Sequence, residues 1–204
     1  MMNEVSPLKG RVPDASVVYC ETLWRACGFE LRIASPRKTR FGDFCVTPQN
    51  RLRISVNANL NPYHFLVTYL HEVAHCKVYL RYKTRVRPHG SEWKATFGDM
   101  LRSAVLLGAF PESIELAVRQ YADNPKSSTA RDSRLYEALC RFDLSTAETP
   151  SNKIRLQDLK DGQRFVFQER AFIRLALRRT RVLCIAVDSK RRYTILATAL
   201  VELL

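Results

Sequence analysis

Three of the chain's four histidines fall in two short segments whose spacing suits a metal ion. In His71-Glu72-Val73-Ala74-His75 the two imidazoles stand four residues apart, and on a helix that places both on one face. Glu72 lies one step round the helix, close enough to take a proton from water on the ion without itself being a ligand. A zinc ion that keeps one position open for chemistry takes three protein ligands, so a third is needed. His89, in His89-Gly90-Ser91-Glu92-Trp93, is the first candidate. Glu92 is the rival, because some zinc peptidases draw a glutamate from a second helix. The cofactor implied is one catalytic Zn2+. The extended metalloprotease pattern, with a glycine and a third histidine directly downstream, is absent, since Val78 and Arg81 occupy those places. His64 precedes His71 by seven residues, about 10 Å along a helix axis. It reads as a cleft-wall or satisfied surface histidine, not a ligand.

The flanking sequence supplies elements to position these groups. Asn61-Pro62 is a helix start, and Leu66, Tyr69, Leu70, Val73, Cys76 and Leu80 follow as an apolar stripe at helical spacing. Ser91 is expected to cap a second helix carrying Trp93, Phe97, Met100, Leu101 and Ala104, which leaves His89 just ahead of it. Upstream, Asp14 can cap a helix with Val17, Val18, Leu23 and Trp24 that ends near Gly28. Strands are expected over 29–33, 44–46 and 52–56. The order of helix, three short strands and histidine helix predicts a compact α+β arrangement with a short three-stranded antiparallel sheet. An exposed strand edge beside the histidines would hold an extended peptide by main-chain bonds. After the second helix, Pro111-Glu112 opens another with Ile114, Leu116, Ala117, Val118 and Tyr121.

Residues 124–153 read as a linker containing a short helix over 135–142 and a loop over 145–153. From Ile154 onward the texture changes. Runs at 165–167, 182–187 and 193–196 look like strands, with Asp161-Gly162 and Asp188-Ser189-Lys190 as turns. The expected organisation is a core at 1–123, the linker, and a small basic β module at 154–204.

The 204 residues carry a net charge of +13. The excess gathers at Arg37, Lys38 and Arg40, and at Arg81, Lys83, Arg85 and Arg87 after the second histidine. It recurs at Arg174, Arg178, Arg179 and Arg181, and at Lys190, Arg191 and Arg192. Between Lys160 and Arg192 there are 10 Lys or Arg against 3 Asp or Glu, so one strongly positive face is expected. Such a surface suits a phosphate backbone, the source of most sequence-independent nucleic-acid affinity. No apolar run reaches membrane-spanning length, and Met1 to Pro7 lacks the layout of a secretory signal, so the chain reads as cytoplasmic. Its six cysteines form no C-x-x-C pair and read as buried free thiols.

The block 71–75, taken with Pro88-His89-Gly90-Ser91-Glu92-Trp93-Lys94, resembles the SprT-like family, which includes the Spartan proteases. The likeness spans roughly residues 14 to 110. It implies a zincin-like metallopeptidase core with His71, His75 and His89 as zinc ligands and Glu72 as general base. It also implies action on DNA-bound or DNA-crosslinked proteins, as in DNA repair. Many bacterial members end in a zinc ribbon with paired C-x-x-C motifs; here the stretch 172–193, with its lone Cys184, looks like a metal-free counterpart. The competing expectation is a DNA-binding protein whose zinc is structural or regulatory, without proteolysis. An intact Glu72 argues against it, because a purely structural site has no use for that carboxylate.

Overall fold

The computed structural model describes residues 6–37, 40–143 and 153–204. Lys38 of the first basic cluster and nearly all of the loop expected at 145–153 lie outside the described residues, as do Met1 to Val5. The chain is α+β and divides into two units, Met1–Thr146 and Ala147–Leu204.

The first unit opens with a 3₁₀ turn at Asp14–Ser16 and helix α1, Val17–Cys27. Asp14 does not cap α1, contrary to expectation. The 3₁₀ turn absorbs it, and the Ser16 hydroxyl donates back to Pro13 O at 2.7 Å. Gly28 closes α1 at φ 63, a left-handed conformation that costs glycine little. Strands β1 (Glu30–Ala34), β2 (Gly42–Val46) and β3 (Leu52–Asn57) follow. Their order is β1-β3-β2, with β1 parallel and β2 antiparallel to β3, so the sheet is mixed and not antiparallel as expected. Strand periodicity assigns faces but not the direction of a neighbour. Direction is decided by the link from β1 to β2, which passes over the end of β3. There the buried Asn57 donates to Arg40 O at 3.0 Å and accepts from Arg37 Nε at 2.8 Å.

Helix α2, Pro62–Tyr82, is the centre of this unit. Asn61 caps it by accepting from the backbone N–H of Tyr63 and His64. The predicted stripe is buried as far as Cys76, whereas Leu80 is exposed near the end of the helix. The Tyr69 hydroxyl, buried deep in the core, donates to Cys20 O at 2.9 Å, which ties α2 to α1. Helices α3 (Ser91–Leu106), α4 (Glu112–Asp123) and α5 (Ser133–Cys140) complete the layer. Gly90, not Ser91, holds the cap position of α3, and the Ser91 hydroxyl turns to Glu92. Leu116 faces solvent from α4, while Ile114, Val118 and Tyr121 face the core.

The segment expected as a linker contributes to the first core. Leu135 and Leu139 of α5 are fully buried there, and Asn61 Nδ2 donates to Leu139 O at 2.9 Å. An amphipathic helix with so few residues cannot bury its face alone and docks on α4 and α2. The four buried cysteines, Cys20, Cys27, Cys76 and Cys184, and the half-buried Cys45 and Cys140, are all outside disulfides.

The second unit is a six-stranded sheet of order β4-β9-β5-β6-β7-β8, antiparallel at every pairing. Its strands are β4 Lys153–Arg155, β5 Arg164–Phe167, β6 Arg170–Arg178, β7 Arg181–Ala186, β8 Arg192–Leu196 and β9 Leu200–Leu203. Phe165, Phe172, Val182, Cys184 and Val201 form its own core. Arg174 of the basic run is buried in it, ion-paired to Asp161 and donating to Leu156 O at 3.3 Å. Among the described residues no helix is long and apolar enough to cross a membrane.

Asn61 both caps α2 and holds α5. Asn61→Ala is therefore expected to lower the stability of the first unit by roughly 1–3 kcal/mol, read as a reduced denaturant midpoint at unchanged slope.

Candidate metal centre

The structure brings together the three histidines that the sequence singled out. His71 and His75 sit one turn apart on α2, and His89 reaches back from the loop before α3. Their Nε2 atoms lie 3.3, 3.0 and 3.3 Å from one another. Each Nε2 of a neutral ring is either donor or acceptor, so in a triangle at least one pair must be alike. Hydrogen bonding among the rings leaves that pair opposed; a cation facing three lone pairs removes the conflict. Nitrogens bound to a tetrahedral ion at about 2.0–2.1 Å stand about 3.3 Å apart, close to what is seen. The residues present thus fit a metal ion that takes nitrogen ligands, and zinc, copper, nickel and iron all do.

The rings are held for that role. Trp93, fully buried on α3, lies against all three imidazoles, with ring centroids 4.7 Å from His71, 5.3 Å from His75 and 4.6 Å from His89. Phe97 backs His71 at 5.3 Å. His89 adopts φ 57, a conformation that costs a non-glycine residue on the order of 1 kcal/mol and that turns its ring toward α2. Burial, and then His75 and His89, depress the His71 imidazole to about 3. His75 is depressed to about 4 by burial and then by His89. His89 is also lowered, by burial and by Arg131. The rings are therefore neutral near pH 7 and available as lone-pair donors.

Glu72 faces β2. It is only 7% exposed. Burial pushes the carboxyl up to about 8, Asp43 adding to the rise while Arg37, the Phe44 N–H and Arg40 oppose it. Helix and strand approach closely at this point. A Cβ on Gly42 would lie 2.7 Å from Glu72 Oε1 and 2.8 Å from Thr68 Cγ2, so the contact requires glycine. Arg37 is anchored nearby through Asn57 and Ser55, at 2.8 and 3.0 Å. Spacing alone does not reveal Gly42, nor that Arg37 of the basic cluster and Trp93 of the second helix line this site. A lone glycine opening a strand was the one local signal, and it does not say what approaches.

Glu92 is not part of the cluster; its carboxylate accepts from the Ser91 hydroxyl at 3.0 Å. His64 is neither a ligand of this cluster nor a surface residue. It is 2% exposed, because the first turn of α2 is covered by α5 and by Phe41. Arg81, Lys83, Arg85 and Arg87 are exposed along the end of α2 and the loop beyond it. Arg178, Arg179 and Arg181 gather at the β6–β7 turn, and Lys190, Arg191 and Arg192 at the β7–β8 turn, all exposed. The two turns lie at opposite ends of β7, so the charge gathers in two clusters about 20 Å apart along the strand.

Fold and cluster together define an α+β protein with a three-histidine group that could bind a metal ion. No family model, curated protein or solved structure matches the chain.

Alanine at His71, His75 or His89 is expected to weaken metal binding by more than about 100-fold, while Glu92→Gln leaves it unchanged. Metal content after dialysis at fixed free zinc checks both. Gly42→Ala should keep the metal but lower stability by about 1–3 kcal/mol in a denaturant titration, as Glu72 or β2 is displaced.

Proposed function

We propose that this chain is a zinc metallopeptidase of the SprT-like type that acts on proteins bound or crosslinked to DNA. The observation that carries the reading is the meeting of the His71, His75 and His89 Nε2 atoms beside a buried carboxylate set against an edge strand. A zinc ion held by these three imidazoles would supply Lewis acidity at a scissile carbonyl and an acidified water.

The remaining steps belong to the chain's own groups. Glu72 takes the proton of the attacking water and delivers it to the leaving amine. The close approach of Gly42 confines the carboxylate against β2, and burial keeps its basicity high enough to accept a proton. The outer edge of β2 holds the substrate as an added strand by main-chain hydrogen bonds, so that selection along the backbone is loose. A loose peptide site gains selectivity from where the enzyme is held. The exposed clusters Arg81–Arg87, Arg178–Arg181 and Lys190–Arg192 support DNA as the anchor, through phosphate contacts that weaken with salt.

The test is cleavage of a DNA-binding protein by zinc-loaded wild type and Glu72→Gln, with and without single- and double-stranded DNA. Wild type should cleave, faster with DNA. Glu72→Gln should keep its metal and circular dichroism while losing about 10²–10⁴-fold in rate. Normal cleavage by the variant would remove Glu72 from its role. Rates indifferent to DNA would remove the anchor, and no cleavage by zinc-loaded wild type would remove the peptidase.

A further inference from the structure

His64 has no part in the three-histidine group, yet it is buried at the start of the same helix. Its backbone N–H donates to Asn61 Oδ1, and its ring stands edge-on to Phe41 and Tyr136, with centroids 4.5 and 5.9 Å apart. His64 Nε2 has no hydrogen-bond partner. A buried ring nitrogen left in that state is costly, and its usual explanation is an ordered water or an ion.

Two further donor side chains approach from the end of α5. Cys140 is the last helical residue, and Asp143 follows one turn later, its N–H donating to Cys140 O at 3.2 Å. That turn stacks the two side chains on one side. Asn61 Nδ2 holds the turn against α2 by donating to Asp143 Oδ1 at 2.5 Å and to Leu139 O at 2.9 Å. As a result, a ring nitrogen of His64, Cys140 Sγ and an Asp143 carboxylate oxygen lie within 4.8 Å of one another. A tetrahedral ion asks for donor separations of about 3.3–3.6 Å, which small side-chain rotations supply.

We propose that His64, Cys140 and Asp143 form a second divalent-cation site, of the zinc class, that ties the end of α5 to the first turn of α2. One nitrogen, one sulfur and one carboxylate oxygen make a borderline donor set suited to zinc and to its cobalt substitute. On binding, the Cys140 thiol releases its proton to solvent and the sulfur bonds the ion, while neutral His64 gives its lone pair. Thiolate and carboxylate together cancel the ion's two charges, so the assembled site is neutral and its burial is tolerable. The same cancellation makes the ion a poor Lewis acid. Three neutral imidazoles leave the charge of the other ion uncompensated, so the two sites divide into a holding site and a reactive one. This inference stands independently of peptidase activity.

Cobalt(II) titration of the full chain tests it, because only a thiolate ligand produces a sulfur-to-cobalt charge-transfer band in the near ultraviolet. Wild type should bind two ions per chain and show the band. The His71→Ala/His75→Ala double variant should keep the band and bind one ion. Cys140→Ser should lose the band and keep the ion at the three histidines. Asp143→Asn, which keeps a side-chain oxygen to accept from Asn61 Nδ2, should weaken the band-forming site at least tenfold. Absence of the band in wild type, or its persistence in Cys140→Ser, would overturn the proposal. So would an Asp143→Asn titration indistinguishable from wild type.

Discussion

A helix enclosed by core on most of its surface has to carry two imidazoles and a carboxylate, and much of the first unit is arranged around that constraint. Twelve residues of α2 are buried, Glu72 and His64 among them. Polar groups in such a position destabilise the fold unless each finds a partner. The partners come from every neighbouring element. Trp93 of α3 supplies an aromatic surface for the rings, and β2 supplies the bare Cα of Gly42 beside the carboxylate. Asn61 and α5 enclose the first turn. The packing that stabilises α2 also sets where its polar side chains point.

This arrangement puts two groups of polar side chains on α2. Near its middle, His71 and His75 meet His89, whose left-handed backbone turns an otherwise ordinary loop residue into the third corner of a triangle. Near its start, the Asn61 side chain caps the helix and grips the end of α5 at once. The second unit stands on a separate core with a buried Arg174 paired to Asp161, and its exposed arginines lie at strand ends and in the turns between them.

Much of this was legible from residue types and spacing. Asn61-Pro62 announced α2 because a capping side chain and a proline without an N–H both fit a helix start. The 71–75 spacing placed both histidines on one face, and the stripe from Leu66 to Cys76 indicated the side that meets the core. The turns at Asp161-Gly162 and Asp188-Ser189-Lys190 likewise fell where short polar residues interrupt apolar runs. Strands β4, β6 and β9 escaped notice, since arginines break the alternation of Arg170–Arg178 and β4 and β9 are only three and four residues long. Local signals also misplaced Asp14 and Ser91 as caps, because a preceding 3₁₀ turn and a preceding glycine took over those positions.

What the sequence determined by itself is therefore the local inventory: which segments are helical, which face of α2 is apolar, and which side chains can donate to a metal. Those properties depend on neighbours within a turn or two along the chain. The tertiary structure alone decided the parallel pairing of β1 with β3, the membership of α5 in the first core, and the burial of His64. It alone set Glu72 against Gly42 and, in selecting the third corner, took His89 over Glu92. Each of these depends on contacts between residues far apart in sequence, where packing density and the pairing of buried polar groups choose among arrangements that local spacing leaves equal.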